Sequence, residues 1–181
     1  MTAPGNLGIA QLRHPHDAGP SLQQELTDCW IAVTNSGGAA GFPFPPVDAS
    51  QVAPRVESLA ARLDPYRCQI LLARIGHDLA GWVVLSRDPS PLIAHWGTVN
   101  HLQTQPGHRN QGIASALMRR LRHVAREEMG IEQLHLAARG GTGLEHFYSR
   151  LGWREIGRWP GKLRIAPDDT RDEILMILTP L

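Results

Sequence analysis

The residues with the clearest chemical potential lie at 106–115, where the chain reads Pro-Gly-His-Arg-Asn-Gln-Gly-Ile-Ala-Ser. This segment joins a strand-like stretch to a helix-like one. A loop that opens a helix points several unpaired backbone N–H groups at one spot, at the positive end of the helix dipole. Gly112 and the small Ala114 let a ligand approach the backbone, and Arg109 adds a fixed positive charge. The segment predicts a phosphate or pyrophosphate site.

The pattern Arg/Gln-x-x-Gly-x-Gly/Ala is short enough to occur by chance, so the surrounding elements decide its meaning. Dinucleotide binding of the Gly-x-Gly-x-x-Gly type is the competing phosphate chemistry, and no such motif follows the first expected strand. Periodicity and turn residues predict the order β-α-α-β-β-β-α-β-α-β-β. The expected strands are 8–12, 68–74, 79–86, 95–104, 131–137, 153–158 and 173–178. The expected helices start at Ser21, at Ala49 or Pro54 (ending near Leu63), at Gly112 (ending near Met129) and at Gly143 (ending near Leu151).

This order predicts an α/β fold of mixed type, in which a mostly antiparallel central sheet is flanked by helices and holds one right-handed parallel crossover. We expect a single domain over residues 1–181. The glycine- and proline-rich segment 35–46 is expected to be a loop, and a second loop is expected between the last two strands. Alternation along 95–104 places Thr98 and Asn100 on one face of the sheet and His101 on the other, unless a β-bulge reverses it.

The phosphate-site loop is followed by a strand and by Phe147-Tyr148-Ser149-Arg150-Leu151-Gly152-Trp153. This combination resembles the GNAT superfamily of acetyl-CoA-dependent N-acetyltransferases, over roughly residues 94–181. The branch with the tabtoxin-resistance type of acetyltransferase is similar in its Gly-Phe loop and its late Pro-Gly loop. The resemblance implies a GNAT-like sheet, acetyl-CoA as the cofactor and acyl transfer to nitrogen as the activity.

The resemblance also implies roles for particular residues. The strand matching Leu102, Gln103 and Thr104 would splay from its neighbour and pair with the pantetheine arm. The tyrosine matching Tyr148 would protonate the departing thiolate. The pyrophosphate would lie on the loop matching Arg109, Asn110, Gln111, Gly112, Ile113 and Ala114.

The general base is not assigned by the sequence. Related enzymes often carry a carboxylate at positions that match Thr98 and Ala137, and neither residue can take a proton at neutral pH. His101 is one candidate, since histidine titrates near neutral pH. Glu145 and His146, which lie near Tyr148 in the sequence, are two others. A water relay through Asn100 or Thr98 is an equal alternative.

Composition excludes several other classes. The 18 Lys and Arg against 17 Asp and Glu argue against a nucleic-acid partner, and the arginines of the third helix (Arg119, Arg120 and Arg122) lie on its expected solvent face. No stretch is apolar enough for a membrane span, and residues 1–20 show no secretory signal. The two cysteines and the scattered histidines predict no metal site and favour the cytoplasm.

The expected acceptor is a primary amine of a small molecule, attacked directly in a ternary complex. Trp30, Phe42 and Phe44 flank the loop expected over the acceptor side, either as pocket walls or as ordinary packing. Acetylation of a protein or peptide, and a non-catalytic acyl-CoA sensor, stay open as alternatives. A homodimer is also open, since dimers are frequent in this architecture.

Overall fold

The structure is a computed structural model that describes residues 6–38 and 41–181. Its order of strands and helices is the expected one, β-α-α-β-β-β-α-β-α-β-β. The strands are β1 (Leu7–Leu12), β2 (Cys68–Ile75), β3 (Asp78–Arg87), β4 (Trp96–Thr104), β5 (Gln133–Arg139), β6 (Arg154–Ala166) and β7 (Asp169–Leu178). The helices are α1 (Pro20–Asn35), α2 (Ala49–Ala61), α3 (Ile113–His123) and α4 (Leu144–Ser149).

All seven strands form one sheet in the order β1-β2-β3-β4-β5-β7-β6. Among the strands of the described residues, only β4 and β5 run parallel, and the other neighbours are antiparallel. The parallel pairing joins Trp96–Thr98 to Gln133–His135 and then stops, although β4 continues to Thr104 and β5 to Arg139. The sheet therefore splits at its centre. This confirms the expected mixed fold and the expected separation of residues 102–104 from their neighbour.

Each face of the sheet carries its own buried core. The core on the α3 face holds, among others, Leu71, Val83, Val99, Leu117, Leu134 and Ile174. The core on the α1 face holds, among others, Leu26, Trp30, Val56, Ile70, Trp82 and Val84. Burial of this apolar surface is the main favourable term that holds the helices on the sheet.

Helix α2 starts at Ala49 because Asp48 caps it. The Asp48 carboxylate accepts from the Ser50 backbone N–H at 2.9 Å, and the Gln51 amide oxygen accepts from the Asp48 N–H at 3.2 Å. This reciprocal cap satisfies N–H groups that the first turn leaves free. Of the two expected starts, Ala49 is therefore correct, and Pro54 lies inside the helix.

Helix α3 continues beyond His123 as a wider turn over Val124–Glu128, where the Met129 N–H donates to the Val124 carbonyl at 3.0 Å. Gly130 follows with a φ of 62° and ends the helix as expected.

The end of the chain differs from the expectation of two short strands with a loop between them. β6 and β7 form one long hairpin that turns over only Pro167 and Asp168, with Ala166 opposite Asp169. A register shift between Trp159 and Leu163 accommodates Pro160. β6 is the edge strand, where the missing N–H of proline interrupts no pairing on the outer side. The segment that was expected to be a loop is therefore part of the hairpin of β6 and β7, which we call the arm.

Among residues 6–38 and 41–181, no helix combines the length and apolar character needed to span a membrane. Ala39 and Ala40 of the expected glycine–proline loop lie outside the described residues, as do residues 1–5 of the segment inspected for a secretory signal.

Candidate active site

A cavity of about 1060 Å³ occupies the split between β4 and β5. Its walls come from both strands, from the loop before α3, from α4, from the end of α1 and the loop after it, and from the arm of β6 and β7. Of the nine residues predicted to hold the cofactor, eight line it: Leu102, Gln103, Thr104, Arg109, Asn110, Gly112, Ile113 and Ala114. Gln111 does not line it, and its side-chain amide points back to the Gly107 carbonyl at 3.5 Å.

The loop before α3 presents a run of free backbone N–H groups. None of the N–H groups from Asn110 to Ser115 donates to a residue that the structure describes, and the first bond of the helix joins the Ala116 N–H to the Gly112 carbonyl at 3.0 Å. Asn110 and Gly112 both have positive φ, 62° and 77°. In Gly112 this left-handed conformation carries no Cβ penalty. The geometry fits a phosphate group, which accepts several hydrogen bonds at a helix N-terminus.

Arg109 extends this loop toward α1. Its Nη2 donates to the Ser36 hydroxyl at 2.7 Å, and Ser36 directly follows the last residue of α1. The guanidinium therefore lies at the cavity wall, between the phosphate-site loop and the loop that follows α1.

A bulge in β4 changes the faces that alternation predicts. Val84 pairs with Asn100 and Trp82 with Gln103, so His101 and Leu102 together oppose Val83. His101 has a φ of 53°. The extra residue carries the His101 ring to the α1 face, the same side as Asn100, while Leu102 packs on the α3 core. The expectation of strict alternation was therefore wrong beyond Asn100, and the bulge that it left open is present.

His101 is held in an aromatic cluster. Its ring centroid lies 4.6 Å from that of Trp30 and 6.0 Å from that of Trp82. Burial, followed by the positive charges of Arg55 and Arg62, lowers the pKa of His101 to about 4. The imidazole is therefore neutral at pH 7 and faces the cavity as a hydrogen-bonding group rather than a cation.

Tyr148 lines the cavity from α4 and is only 7% exposed. Its ring packs against Phe147 and Trp153, with centroid distances of 5.1 and 5.9 Å. Burial raises the pKa of Tyr148 to about 12, so the hydroxyl keeps its proton at neutral pH. A protonated phenol at this wall can donate to a thiolate, whose conjugate acid is stronger, with a pKa of about 8.5.

The structure separates the candidate bases. Asn100 and His101 line the cavity, as does Ala137, whereas Glu145 and His146 do not. Thr98 does not line it either, and its hydroxyl is hydrogen-bonded to His135 Nε2 at 2.9 Å. Residues 6–38 and 41–181 hold no cluster of three or more metal-ligating side chains.

The loop after α1 and the hairpin arm meet at the end of the cavity that was expected to hold the acceptor, which we call the acceptor end. The Phe44 N–H donates to the Ile165 carbonyl at 2.8 Å. Phe42 is buried against Trp30 at 5.2 Å and lines the cavity, while Phe44 is 51% exposed. The Phe42 side chain thus forms part of the cavity wall, whereas Phe44 joins the loop to the arm through its backbone N–H.

Sequence reasoning missed the charged residues of this acceptor end. Arg139, at the end of β5, and Lys162, Arg164 and Glu173, on the arm, all line the cavity. Arg139 could have been found by counting two residues on from Ala137 along the strand. Lys162 and Arg164 could not, because their segment was expected to be a loop, and Glu173 was expected only as the first residue of the last strand.

A model of the GNAT acetyltransferase family matches residues 21–153. The chain belongs to this family. Its fold is shared by a GNAT acetyltransferase of Streptococcus pneumoniae, at 19% identity over 96% of this chain and 99% of that one, with a TM-score of 0.71. The Salmonella typhimurium putative acetyltransferase yncA, solved with acetyl-CoA, is 14% identical over 97% and 94%, with a TM-score of 0.68. Nourseothricin acetyltransferase is 26% identical over 65% and 68%, with a TM-score of 0.56.

No curated protein matches the chain by sequence. As a GNAT N-acetyltransferase, the protein uses acetyl-CoA as its acetyl donor. The free N–H groups at 110–115 and the cavity beside them fit the pyrophosphate of that donor.

Proposed function

We propose that this GNAT enzyme transfers an acetyl group from acetyl-CoA to a primary amine of a small molecule, by direct attack in a ternary complex. The observation that carries the proposal is the hydrogen bond from the Phe44 N–H to the Ile165 carbonyl, which joins the loop after α1 to the hairpin arm at the acceptor end. A peptide acceptor needs a long open groove, whereas a loop hydrogen-bonded to a hairpin leaves room for a compact molecule. The similar nourseothricin acetyltransferase is named for nourseothricin and not for a protein acceptor, which agrees with this choice.

We assign the cofactor to residues on the phosphate-site loop and on β4. The N–H groups of Asn110 to Ser115, with the charge of Arg109, would hold the pyrophosphate. Among the residues that the structure describes, β4 has no strand partner on its β5 side beyond Thr98. The backbone of Leu102, Gln103 and Thr104 is therefore free on that side to pair with the pantetheine arm. Acetyl-CoA supplies an activated acetyl thioester.

We assign the proton that reaches the sulfur to Tyr148, since the residue lines the cavity and its hydroxyl keeps its proton at neutral pH. The amine would be oriented by Asn100 and by the neutral imidazole of His101 on the opposite wall. Holding the amine and the thioester in one cavity supplies much of the rate enhancement. No residue is assigned as the general base.

We propose a cytoplasmic location, because Cys29 and Cys68 are free, buried thiols that suit a reducing compartment. The similarity to the tabtoxin-resistance branch stays a prediction.

The test combines binding with turnover. Acetyl-CoA at 100 times its Kd should raise the Tm by about 5–10 °C, because binding at that ratio stabilises by about 2.7 kcal/mol. A thiol-release screen over amines, amino acids, polyamines and short peptides should then find turnover with small amines. Turnover with peptides alone would favour the peptide alternative. Binding of acetyl-CoA without turnover on any acceptor would favour a sensor, and no change in Tm would end the proposal.

A further inference from the structure

A second, smaller pocket adjoins the acceptor end of the cavity. It has a volume of about 190 Å³, and we name it the loop pocket. Six of its lining residues also line the main cavity: Gly37, Gly38, Phe42, Arg139, Thr142 and Ile165. Thr34, Pro45, Gly141, Asp169 and Arg171 complete it. The loop pocket therefore lies between the end of α1, the end of β5 and the hairpin arm, next to the space assigned to the acceptor.

Arg139 is the charged residue common to both spaces. Leu136 and Ala138 pack in the α3 core, so alternation directs Arg139 to the opposite face of β5, away from α3 and α4. Its guanidinium makes no hydrogen bond or ion pair with any residue in 6–38 or 41–181. The neighbouring acid, Asp169, is already bound by Arg171, at 2.5 and 3.1 Å. Among the described residues, this half-buried cation therefore has Asp169 nearby but no anion within ion-pair distance.

The electrostatic surroundings of Arg139 agree with this geometry. Burial lowers its pKa from 12.5, the charge of Asp169 opposes that shift, and the charge of Arg171 adds to it. The guanidinium nevertheless stays charged at neutral pH, because even a lowered arginine pKa lies far above 7. An anion from a ligand would offset the loss of hydration.

Thr34 supplies an independent observation on the same pocket. The residue is 3% exposed and lines the loop pocket, and its hydroxyl oxygen is buried with no hydrogen-bond partner among the described residues. A buried hydroxyl is nearly always satisfied in a native protein. The guanidinium of Arg139 offers a positive charge and N–H donors, and the hydroxyl of Thr34 offers one more donor. A small anion needs both a positive charge and hydrogen-bond donors.

The arm adds positive charge at this end of the cavity. Lys162 and Arg164 both line it, and the only acid from the arm that does so, among the described residues, is Glu173. Glu173 is already bound by Lys162. The acceptor end is therefore positive overall, which disfavours acceptors that carry several amines and favours those that carry an acidic group.

We propose that the loop pocket binds the carboxylate of the acceptor, so that the acceptor is an amino acid whose amine reaches the thioester in the main cavity. The proposal rests on the proposed function and names its substrate class. Arginine binds a carboxylate with two parallel N–H donors, and the Thr34 hydroxyl, enclosed at this wall of the pocket, would be the third donor. In the reaction the amine forms a C–N bond to the acetyl carbon and the C–S bond breaks. One proton of the neutral amine is released to the solvent, the sulfur takes a proton from Tyr148, which regains one from the solvent, and the carboxylate is unchanged.

The first experiment compares matched acceptors with the wild-type enzyme. Each pair consists of an amino acid and the amine that lacks its carboxylate, such as leucine and isoamylamine, or 6-aminohexanoate and pentylamine. The series from α- to ε-amino acids varies the spacing between the two groups. At least one amino acid should have a kcat/KM 10-fold or more above that of its amine. Equal or better turnover of the amines throughout the series would overturn the proposal.

The second experiment uses variants of the pocket with a matched control. Arg139→Gln should raise the KM for the preferred amino acid about 10- to 100-fold and leave the KM for its amine unchanged, since only the former loses a charge-assisted pair. Arg139→Lys should recover part of the loss, and Thr34→Val should raise the same KM a few-fold. Arg119→Gln, an exposed arginine of α3 that lines neither space, should change nothing.

Two outcomes of the variant series would reject the carboxylate site. One is an equal loss for the amino acid and its amine in Arg139→Gln. The other is a weaker Kd for acetyl-CoA in that variant, which would place Arg139 on the cofactor instead. Should Arg139→Gln fail to fold by circular dichroism, Arg139→Lys and Thr34→Val carry the same comparison.

The change in Tm with acetyl-CoA, measured on the same samples, separates the two proposals. If acetyl-CoA does not bind, the proposed function fails. If it binds and amines are acetylated without any preference for a carboxylate, only the carboxylate site fails.

Discussion

The Nη2 atom of Arg109 lies 2.7 Å from the hydroxyl oxygen of Ser36, a residue 73 positions earlier in the chain. Arg109 belongs to the loop that opens α3, and Ser36 directly follows α1. The bond therefore joins the wall assigned to the pyrophosphate to the wall assigned to the acceptor.

Replacing Arg109 tests the charge of the phosphate site. Arg109→Gln should weaken the Kd for acetyl-CoA about 10-fold, because a charge-assisted hydrogen bond to phosphate contributes about 1.5 kcal/mol or more. Ser36→Ala removes the partner hydroxyl and keeps the guanidinium, so its Kd should stay within about 2-fold of the wild type. Titration calorimetry measures both. An unchanged Kd in Arg109→Gln would remove Arg109 from the cofactor site.

Replacing Tyr148 tests its proposed role as the proton donor to the departing thiolate. Tyr148→Phe keeps the ring that packs between Phe147 and Trp153 and removes only the hydroxyl. We expect kcat to fall about 100-fold, the lower range for a positioned acid, with the Kd for acetyl-CoA nearly unchanged. Tyr66→Phe is the matched control, since Tyr66 is 69% exposed and lines neither pocket. An equal loss in kcat and in affinity would contradict the acid role.

Glycine at position 112 can be tested against a glycine in the same conformation elsewhere. Gly112 and Gly143 precede α3 and α4 with φ values of 77° and 74°. Substitution by alanine should destabilise each by about 1–2 kcal/mol, the strain of a left-handed conformation. Only Gly112→Ala should also weaken the Kd for acetyl-CoA, because its Cβ would crowd the phosphate. If both variants bind acetyl-CoA like the wild type, the loop does not approach the phosphate as proposed.

The sequence could predict the element order and the phosphate-site loop because both are local signals. Turn residues and periodicity place the strands and helices, and the free N–H groups follow from where α3 begins. The faces of β4 beyond Asn100 could not be predicted, since a single inserted residue at His101 reverses them. The deciding contacts with Trp30 and Trp82 come from residues 71 and 19 positions away.

The acceptor end escaped prediction for a similar reason. Thr34 reads as one more residue of an amphipathic helix, and nothing local shows that its hydroxyl has no partner. The part of the arm between residues 158 and 173 was expected to be a loop because Pro160 and Gly161 usually break strands, yet an edge strand tolerates both. Only the tertiary structure brings α1, β5 and the arm together.

The lowered pKa of His101 predicts how stability depends on pH. The native pKa is about 4, from burial and then the charges of Arg55 and Arg62, against 6.5 for an exposed histidine. In the unfolded chain, His101 therefore binds a proton below about pH 6.5. In the native protein it binds that proton only below about pH 4. The free energy of unfolding should fall by about 3 kcal/mol over this window and be fully present above it. In the variant His101→Asn, asparagine tolerates the positive φ of this position. Its free energy of unfolding, measured by urea titration at pH 7 and pH 4.5, should lack this pH-dependent difference. Parallel pH dependence in the two proteins would show that His101 is not the group responsible.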